Sequence, residues 1–477
     1  MKKVLATILA LVMAIGLCSV AWAAGEYDPL PDADANGTIT LTADVTFNGD
    51  ATLDLTGKTV KTSGYTIIVA SGTVSITGGT FVNEVEGVIT EGSKDPHGIL
   101  AVNAGATLNI TGARLETKAY QPLTVMGTCN SVGTAYKCTV ANNQYDSRVM
   151  ILVDGSSAHL NMPSGSVEMV ASTVASDGMY GIYAANGGNV TMGDAATGTG
   201  PSVHSQFAAL GNNHDTSPSV WNIYGGEYVS DAKATDNDWW KYFCGALYLP
   251  ATTDINIYGG TFKGGNYAVC MPWADAGTDV DISGGTFSTN DGEGLFFYRS
   301  NTAAETSTHP DVTITGGKYN GTLVVGNVTD PAMDVSGGTF NTDISDYANS
   351  QPVAKRNNGE NDEYVVGTSA VVSAANADRS ITIVKGNNAQ LNGVNSGVKV
   401  TVTGGVVSVN GTRVTNDDVN GYTVPARSYY YYQPTTDTKT TDTKGSPKTF
   451  DAGIALYVGM ALTSAAGVAF VGKKRED

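Results

Sequence analysis

The stretch Asp281–Phe287, "DISGGTF", decides the fold because close copies of it recur along the chain. They are "SITGGTF" from Ser75, "NIYGGEY" from Asn222, "NIYGGTF" from Asn256, "TITGGKY" from Thr313 and "DVSGGTF" from Asp334. Each is an alternating strand followed by two glycines and an aromatic. Successive side chains on a strand point to opposite faces, so Val280, Ile282 and Phe287 are expected inside, with Asp281 and Ser283 outside. Gly284 and Gly285 then turn a corner, where one takes a positive φ and neither can carry a Cβ that would strike the coil above. The aromatic is placed to stack on its counterpart in the next coil.

Aligned on the glycines, the repeat shows a second strand signal. "IIVASGTVSITGGTF" begins at Ile67 and "ALYLPATTDINIYGGTF" at Ala246, each with an apolar run, a turn and then the alternating strand. Successive glycine pairs are separated by 21 residues (Gly316 to Gly337) up to 34 (Gly225 to Gly259). One turn of a parallel β-helix fits the short end of that range, and the surplus leaves as loops. The chain of 477 residues could hold two or three ordinary domains, but this period favours one elongated array.

The motif resembles the right-handed parallel β-helix shared by pectate-lyase-like enzymes and many bacterial surface proteins. The fold class expected is therefore all-β: a right-handed parallel β-helix over residues 24–355, with roughly ten to twelve coils about 4.8 Å apart. An open rod end presents unpaired strand edges and needs a cover. Thr38–Val60 alternates without a glycine pair and reads as the atypical first coils. The charged, apolar-poor run Lys355–Glu363 marks a boundary, and residues 364–428 read as a small β domain that caps or extends the rod. Within it Asn410-Gly411 lies between alternating strands, a hairpin signal because both residues tolerate positive φ. Residues 429–445 form a Tyr/Thr-rich spacer.

Composition agrees with an all-β surface protein, with 58 glycines and only 15% charged residues. The formal charge of −18 excludes partners held by their phosphates, so no nucleic acid is expected.

Both ends carry address signals. Lys2 and Lys3 precede an apolar run from Val4 to Val20, and Ala21-Trp22-Ala23 supplies the small-x-small pattern that signal peptidase cuts, which makes residues 1–23 a signal peptide. Leu17 precedes Cys18 where a lipoprotein signal needs a small residue, so no lipid anchor is expected. Gly453–Gly472 is an uncharged apolar stretch of 20 residues, long enough at about 1.5 Å per residue to cross a core of roughly 30 Å. Lys473, Lys474 and Arg475 follow it as a cytoplasmic tail.

With "SPKTFD" before that helix, residues 446–477 resemble the cell-wall sorting signal of Gram-positive sortase substrates. The resemblance implies that a sortase cysteine attacks the carbonyl of Thr449 while Pro447 kinks the peptide. Phe450 stands where the family usually has Gly, and Ser446 where it most often has Leu, so retention by the transmembrane helix is the alternative. Either way the ectodomain is extracellular, anchored to cell wall or membrane by its C-terminus. Losing both signals removes five basic and three acidic residues, leaving 22 against 42.

Candidate sites are few. Cys129 and Cys138 flank "NSVGTAYK", a span short enough for a hairpin disulfide, and Cys244 and Cys270, about one coil apart, are a second candidate pair. "DADANGTI" places Asp32, Asp34 and Asn36 at the first, third and fifth positions of a calcium loop, but Ala43 stands at the twelfth, so a solvated Asx turn is the alternative reading and no metal is expected. No cofactor is expected. Pectin-degrading enzymes of the resembled fold use aspartate pairs with a Gly-His-Gly and an Arg-x-Lys segment, or calcium with a basic residue. Asn341-Thr342-Asp343 matches one such fragment, while His97, His159, His204, His214 and His309 have no acid partner at an interpretable spacing. An acidic chain also repels an anionic polymer.

"DNDWWKYF", Asp236–Phe243, is inserted between two good coils, and its Trp239, Trp240 and Tyr242 either fold back on the rod or offer flat rings to a sugar. The expected function is a cell-surface adhesin or structural display protein without catalysis, its partners being signal peptidase and sortase during export, the cell wall, and a glycan or host-surface ligand. A polysaccharide lyase or hydrolase of the same fold and a passive wall spacer are the alternatives.

Overall fold

Gly284 and Gly285 turn their corner for two different reasons in the computed structural model. Gly285 takes φ 97°, where an L side chain is strained. A Cβ on Gly284 would stand 2.3 Å from the carbonyl oxygen of Tyr258 in the preceding coil. One glycine serves conformation and the other close approach. The structure describes residues 30–85, 98–118, 121–140, 148–171, 179–212, 217–231, 244–250, 252–272, 277–290, 294–299, 310–326, 332–348, 350–357 and 362–426.

Each coil contributes to three parallel sheets in rotation. Sheet 1 collects the apolar runs, sheet 2 the alternating strands, and sheet 3 the short strands after the glycine corner. Sheets 1 and 2 have 11 strands each, so the stack is about 50 Å long at a strand spacing of about 4.8 Å. The sequence pattern shows two strands per repeat, and the structure adds the third. In the coil of Asp281 this strand is Thr286–Thr289. It carries a single inward aromatic, Phe287, which is too little alternation to announce a strand.

Inward files run along the stack in register. In sheet 1, Leu123, Ile151, Ile182, Leu210, Leu247 and Val269 pair coil to coil. In sheet 2, Leu108, Cys129, Leu160, Val190, Trp221, Ile255 and Val280 do the same. Val280, Ile282 and Phe287 are buried and Asp281 and Ser283 exposed, as the alternation requires. Sheet 3 supplies the aromatics, with Phe262 and Phe287 stacked at 4.8 Å and Tyr319 and Phe340 at 4.6 Å. Burial of each such side chain contributes about 1.5–3 kcal/mol.

The first coil is atypical, as expected. Thr38–Thr40 opens sheet 3 and pairs with Thr59–Lys61. At the other end the expected boundary at Lys355–Glu363 is instead part of the cover. Val353–Asn357 and Asp362–Val366 are antiparallel partners, and the latter also pairs antiparallel with Thr339–Phe340 of the last coil. Val353 and Val366 join the rod's core, while Ala354 and Val365 join the core of the cap. The charges of the run lie across this pair: Lys355 meets Asp362 at 2.5 Å and Arg356 meets Glu363 at 3.1 Å.

The cap continues sheet 3 through Ser380–Lys385 and Lys399–Val402, and so extends the rod as well as closing it. Asn410 and Gly411, at φ 47° and 87°, form the two-residue turn of the hairpin Val406–Thr415. One element departs from the expected all-β cap, the helix Thr368–Asp378. Its Val371, Ala374 and Ala375 are buried at i, i+3 and i+4 spacing against the cap strands, and Arg356 holds its last residue, Asp378, through two bonds of 2.8 Å.

The signal peptide and the sorting signal, with the anchor Gly453–Gly472, lie outside the described residues. Among the described residues no helix is long and apolar enough to cross a membrane.

Candidate functional site

Most of the surplus leaves the rod at two of its three corners. The corner between sheets 2 and 3 is a tight turn in every coil but one, where residues 193–201 intervene, whereas longer segments run from Ser230 to Gly245, between sheets 3 and 1, and from Arg299 to Asp311, between sheets 1 and 2. The two corners with the longest connections border sheet 1. Its outer face is therefore where a rigid scaffold meets variable chain, the usual arrangement of a functional surface.

That face is aromatic. Leu152, Tyr183, Gly211, Tyr248 and Cys270 form one outward file in register, and Tyr180 follows Val149 in a second. Gly211 leaves space that the tyrosines occupy: a Cβ there would stand 3.2 Å from Tyr180 Cδ1 and 3.4 Å from Tyr183 Cδ2. Tyr180 reaches Tyr183 at 4.8 Å between ring centroids, Tyr248 at 5.7 Å and Phe207 at 6.4 Å. Cys270 Sγ likewise lies over Gly245, 2.7 Å from where a Cβ would be. Tyr180, Phe207, Cys244, Tyr248, Tyr267 and Cys270 are all buried in this cluster, outside the rod's main core.

Burial sets the chemistry of these groups. The Tyr180 phenol is pushed well above its usual range, first by burial and then by Tyr248, Tyr183, Cys244 and Cys270. Burial, followed by Cys244, pushes the Cys270 thiol up as well. Neutral phenols and a protonated thiol pack and hydrogen-bond, but they do not attack.

Around the corner, the outer face of sheet 3 carries the ionisable groups. His204 Nε2 faces Glu227 Oε2 of the next coil at 3.6 Å, too long for a hydrogen bond. Lys137 bonds Glu168 at 3.2 Å, and Glu168 is the register neighbour of His204. Partial burial pushes the Asp231 carboxyl up, while His204 and Lys263 pull it down. The sequence pairs His204 with no acid because Glu227 is 23 residues away. One coil of stacking brings them together, and a search at the coil period would have found the pair. His159 lies exposed on sheet 2, and His97, His214 and His309 lie outside the described residues.

The other sequence candidates stand as follows. Cys129, Cys138, Cys244 and Cys270 are thiols in this structure. The hairpin expected between Cys129 and Cys138 is instead a corner at Gly133, so Cys129 faces the core from sheet 2 and Cys138 from sheet 3. Strands that diverge from a corner, at about 3.3 Å per residue, carry the two sulfurs beyond the reach of a bond needing Cα atoms about 6 Å apart. Cys129 packs instead beside Tyr136, whose hydroxyl bonds Ser131 Oγ at 2.9 Å. Cys244 and Cys270 do share the outer cluster of sheet 1.

Asp34 Oδ1 accepts the backbone N–H groups of Asn36 and Thr38 at 2.8 Å each, an Asx turn, with Asp32 and Asn36 exposed. Among the described residues no group of three or more His, Cys, Asp and Glu could hold a metal ion. The fragment Asn341-Thr342-Asp343 is a bend just after the strand Thr339–Phe340, its carboxamide and carboxylate held by backbone. Asn341 Oδ1 accepts from Gly321 N at 2.7 Å, and Asp343 Oδ1 accepts from Ser345 N at 2.9 Å. Trp239, Trp240 and Tyr242, and the sorting residues Ser446, Pro447 and Thr449, lie outside the described residues. The segment holding the tryptophans joins Ser230 to Gly245 at the edge of the aromatic face. Comparison with known protein families, with characterised proteins and with solved structures finds no match to this chain.

Proposed function

We propose that this chain is a surface display protein that works by contact: an adhesin-like β-helical stalk, exported by its N-terminal signal and retained at the cell wall through its C-terminus. One observation carries the reading. Eleven stacked coils are closed by the pair Val353–Asn357 and Asp362–Val366, and their longest connections border one outer face. A rigid closed rod with most of its variable chain bordering one face is suited to presenting a surface. Trp239, Trp240 and Tyr242 belong to the connection from Ser230 to Gly245, whose ends border that face, and are assigned to glycan contact. The right-handed, pectate-lyase-like character is retained from the glycine-corner motif.

Retention of purified full-length chain on immobilised wall and host glycans tests the contact. Loss of retention on replacing Trp239 and Trp240 by Ala supports the tryptophan loop, and unchanged retention removes it from the reading. Fractionation tests the anchor: the protein should stay with cells after detergent and be freed by wall-digesting enzymes. Release by detergent alone would assign retention to the helix.

Cleavage of a polysaccharide is the second reading, favoured by His204 facing Glu227 across two adjacent strands of sheet 3, with Asp231 at the end of the second. Release of reducing ends or unsaturated products, abolished by His204→Ala, would establish it in place of passive contact.

A further inference from the structure

Tyr224 and Tyr258 stack on the outer side of sheet 2, with ring centroids 4.8 Å apart and planes at 9°. Each stands at the end of its strand, just before a glycine pair, and the same position in the following coils is held by Ser283, Thr315 and Ser336. A serine is too short to lie over a ring, so the stack ends after two members and Tyr258 is left 48% exposed. The longer stack of Phe262, Phe287, Tyr319 and Phe340 in sheet 3 points inward and is buried in the core. Sheet 2 therefore presents an open aromatic ring, that of Tyr258, on its outer side.

Beside the open ring runs a polar file, Asn222, Asn256, Asp281 and Thr313, in register from coil to coil at about 4.8 Å. These are carboxamide, carboxylate and hydroxyl groups, which donate to and accept from hydroxyls. No strand of sheet 2 contains a Lys or an Arg. A uronate or phosphate laid here would meet carboxylates and no cation. The glycine corner beside Tyr258 also carries no long connection that would stand in the way.

An open ring beside evenly spaced hydroxyl-binding groups suits a pyranose, whose C–H face lies on an aromatic while its hydroxyls bond to the side. We propose that the outer face of sheet 2 binds an uncharged polysaccharide. One pyranose lies on Tyr258 above Ser283 and continues the tyrosine stack, and its hydroxyls bond to Asn256 and Asp281. The neighbouring units run along the rod toward Thr313. The inference rests on the contact reading above but moves the contact to a face that reading does not use.

Affinity electrophoresis of the intact chain through a soluble neutral β-glucan, polygalacturonate or chitosan tests it. The neutral glucan should retard the protein, Tyr258→Ala should weaken retardation roughly tenfold, and Tyr258→Phe should leave it unchanged. The effect should survive added salt. Because the ring is half exposed, the alanine variant should keep the parent's melting temperature, which separates lost binding from lost fold. Equal retardation of wild type and Tyr258→Ala would overturn the site. If retardation were then lost on replacing Trp239 and Trp240, the tryptophan contact would stand and only this inference would fall. Retardation by a charged polymer alone, abolished by salt, would overturn the uncharged ligand. No retardation by any of the three would overturn the inference together with glycan contact by the rod.

Discussion

Phe287 and Tyr319 lie one coil apart with ring centroids 5.0 Å apart and planes within 4° of parallel. The contact can exist only if two coils sit in register, and the Tyr319 hydroxyl secures its ring by donating to the Gly316 carbonyl at 2.9 Å. Phe287 is covered on both sides by Phe262 and Tyr319. Phe287→Ala should therefore cost about 3–5 kcal/mol. Tyr319→Phe, which removes one hydrogen bond, should cost about 1 kcal/mol. Urea denaturation of the two variants checks the ratio, and equal small losses would mean the ring is not packed in a core.

The two glycines of the corner should respond differently to substitution. Gly284→Ala sets a methyl against the Tyr258 carbonyl, a backbone atom that cannot yield cheaply. Gly285→Ala mainly forces a residue with a Cβ to φ 97°, a penalty of about 1–2 kcal/mol. Gly285→Asn should recover part of that loss, because Asn tolerates positive φ, and Gly284→Asn should recover none. Melting temperatures of the four variants report the order.

Asp254, Asp279 and Asp311 are register neighbours on sheet 2. The Asp279 carboxyl is pushed above its ordinary value, first by partial burial and then by Asp281, Asp254 and Asp311. A carboxyl that holds its proton more tightly when folded makes the folded state bind more protons, so its contribution to stability falls as pH rises from the ordinary aspartate range through its folded pKa. Asp279→Asn should gain a few tenths of a kcal/mol at pH 7, the modest size expected for an exposed like-charge pair. The gain should vanish below about pH 3 and shrink in about 1 M salt. Unfolding midpoints at the two pH values check the sign.

Burial pushes the Cys129 thiol up to about 12, and Cys270 is also raised. All four cysteines are buried, so alkylation at pH 8 should leave Cys129, Cys138, Cys244 and Cys270 unmodified in the native protein, and all four should react once it is unfolded. Peptide mass mapping without reductant should show four thiols. A bridged Cys129–Cys138 peptide would mean that the corner at Gly133 is misplaced.

How much was legible in the sequence follows from how each feature is encoded. The glycine pair, the inward Ile282 and the stacked Phe287 are local and repeated, so six copies of one heptad announce them. Asn410-Gly411 was readable because two residues dictate their own turn. The strand Thr286–Thr289 was hidden because its hydrogen bonds go to other coils and its own pattern is one aromatic long. The charged run Lys355–Glu363 read as a boundary, but not as part of a strand pair, because Arg356 finds its partners Glu363 and Asp378 only in the fold. The helix Thr368–Asp378 is short and carries two adjacent valines, so its three inward residues were the only helical signal. At the candidate sites, His204 met Glu227 and Tyr180 met Tyr248 through stacking alone. Such pairs become visible only after the coil period has been assigned, because every contact across coils is long-range in sequence.

Spin-label distances along one outward file test the central claim most directly, which is that successive coils lie in register atop one another. Asn109, Asn222, Asp281 and Asp334 stand on the same file of sheet 2. With one label at Asn109, the account predicts distances of about 19, 29 and 38 Å to labels at the other three, rising linearly with the number of coils crossed at about 4.8 Å each. Distances that fail to increase in that order, or that bear no constant relation to coil number, would contradict the stacked rod.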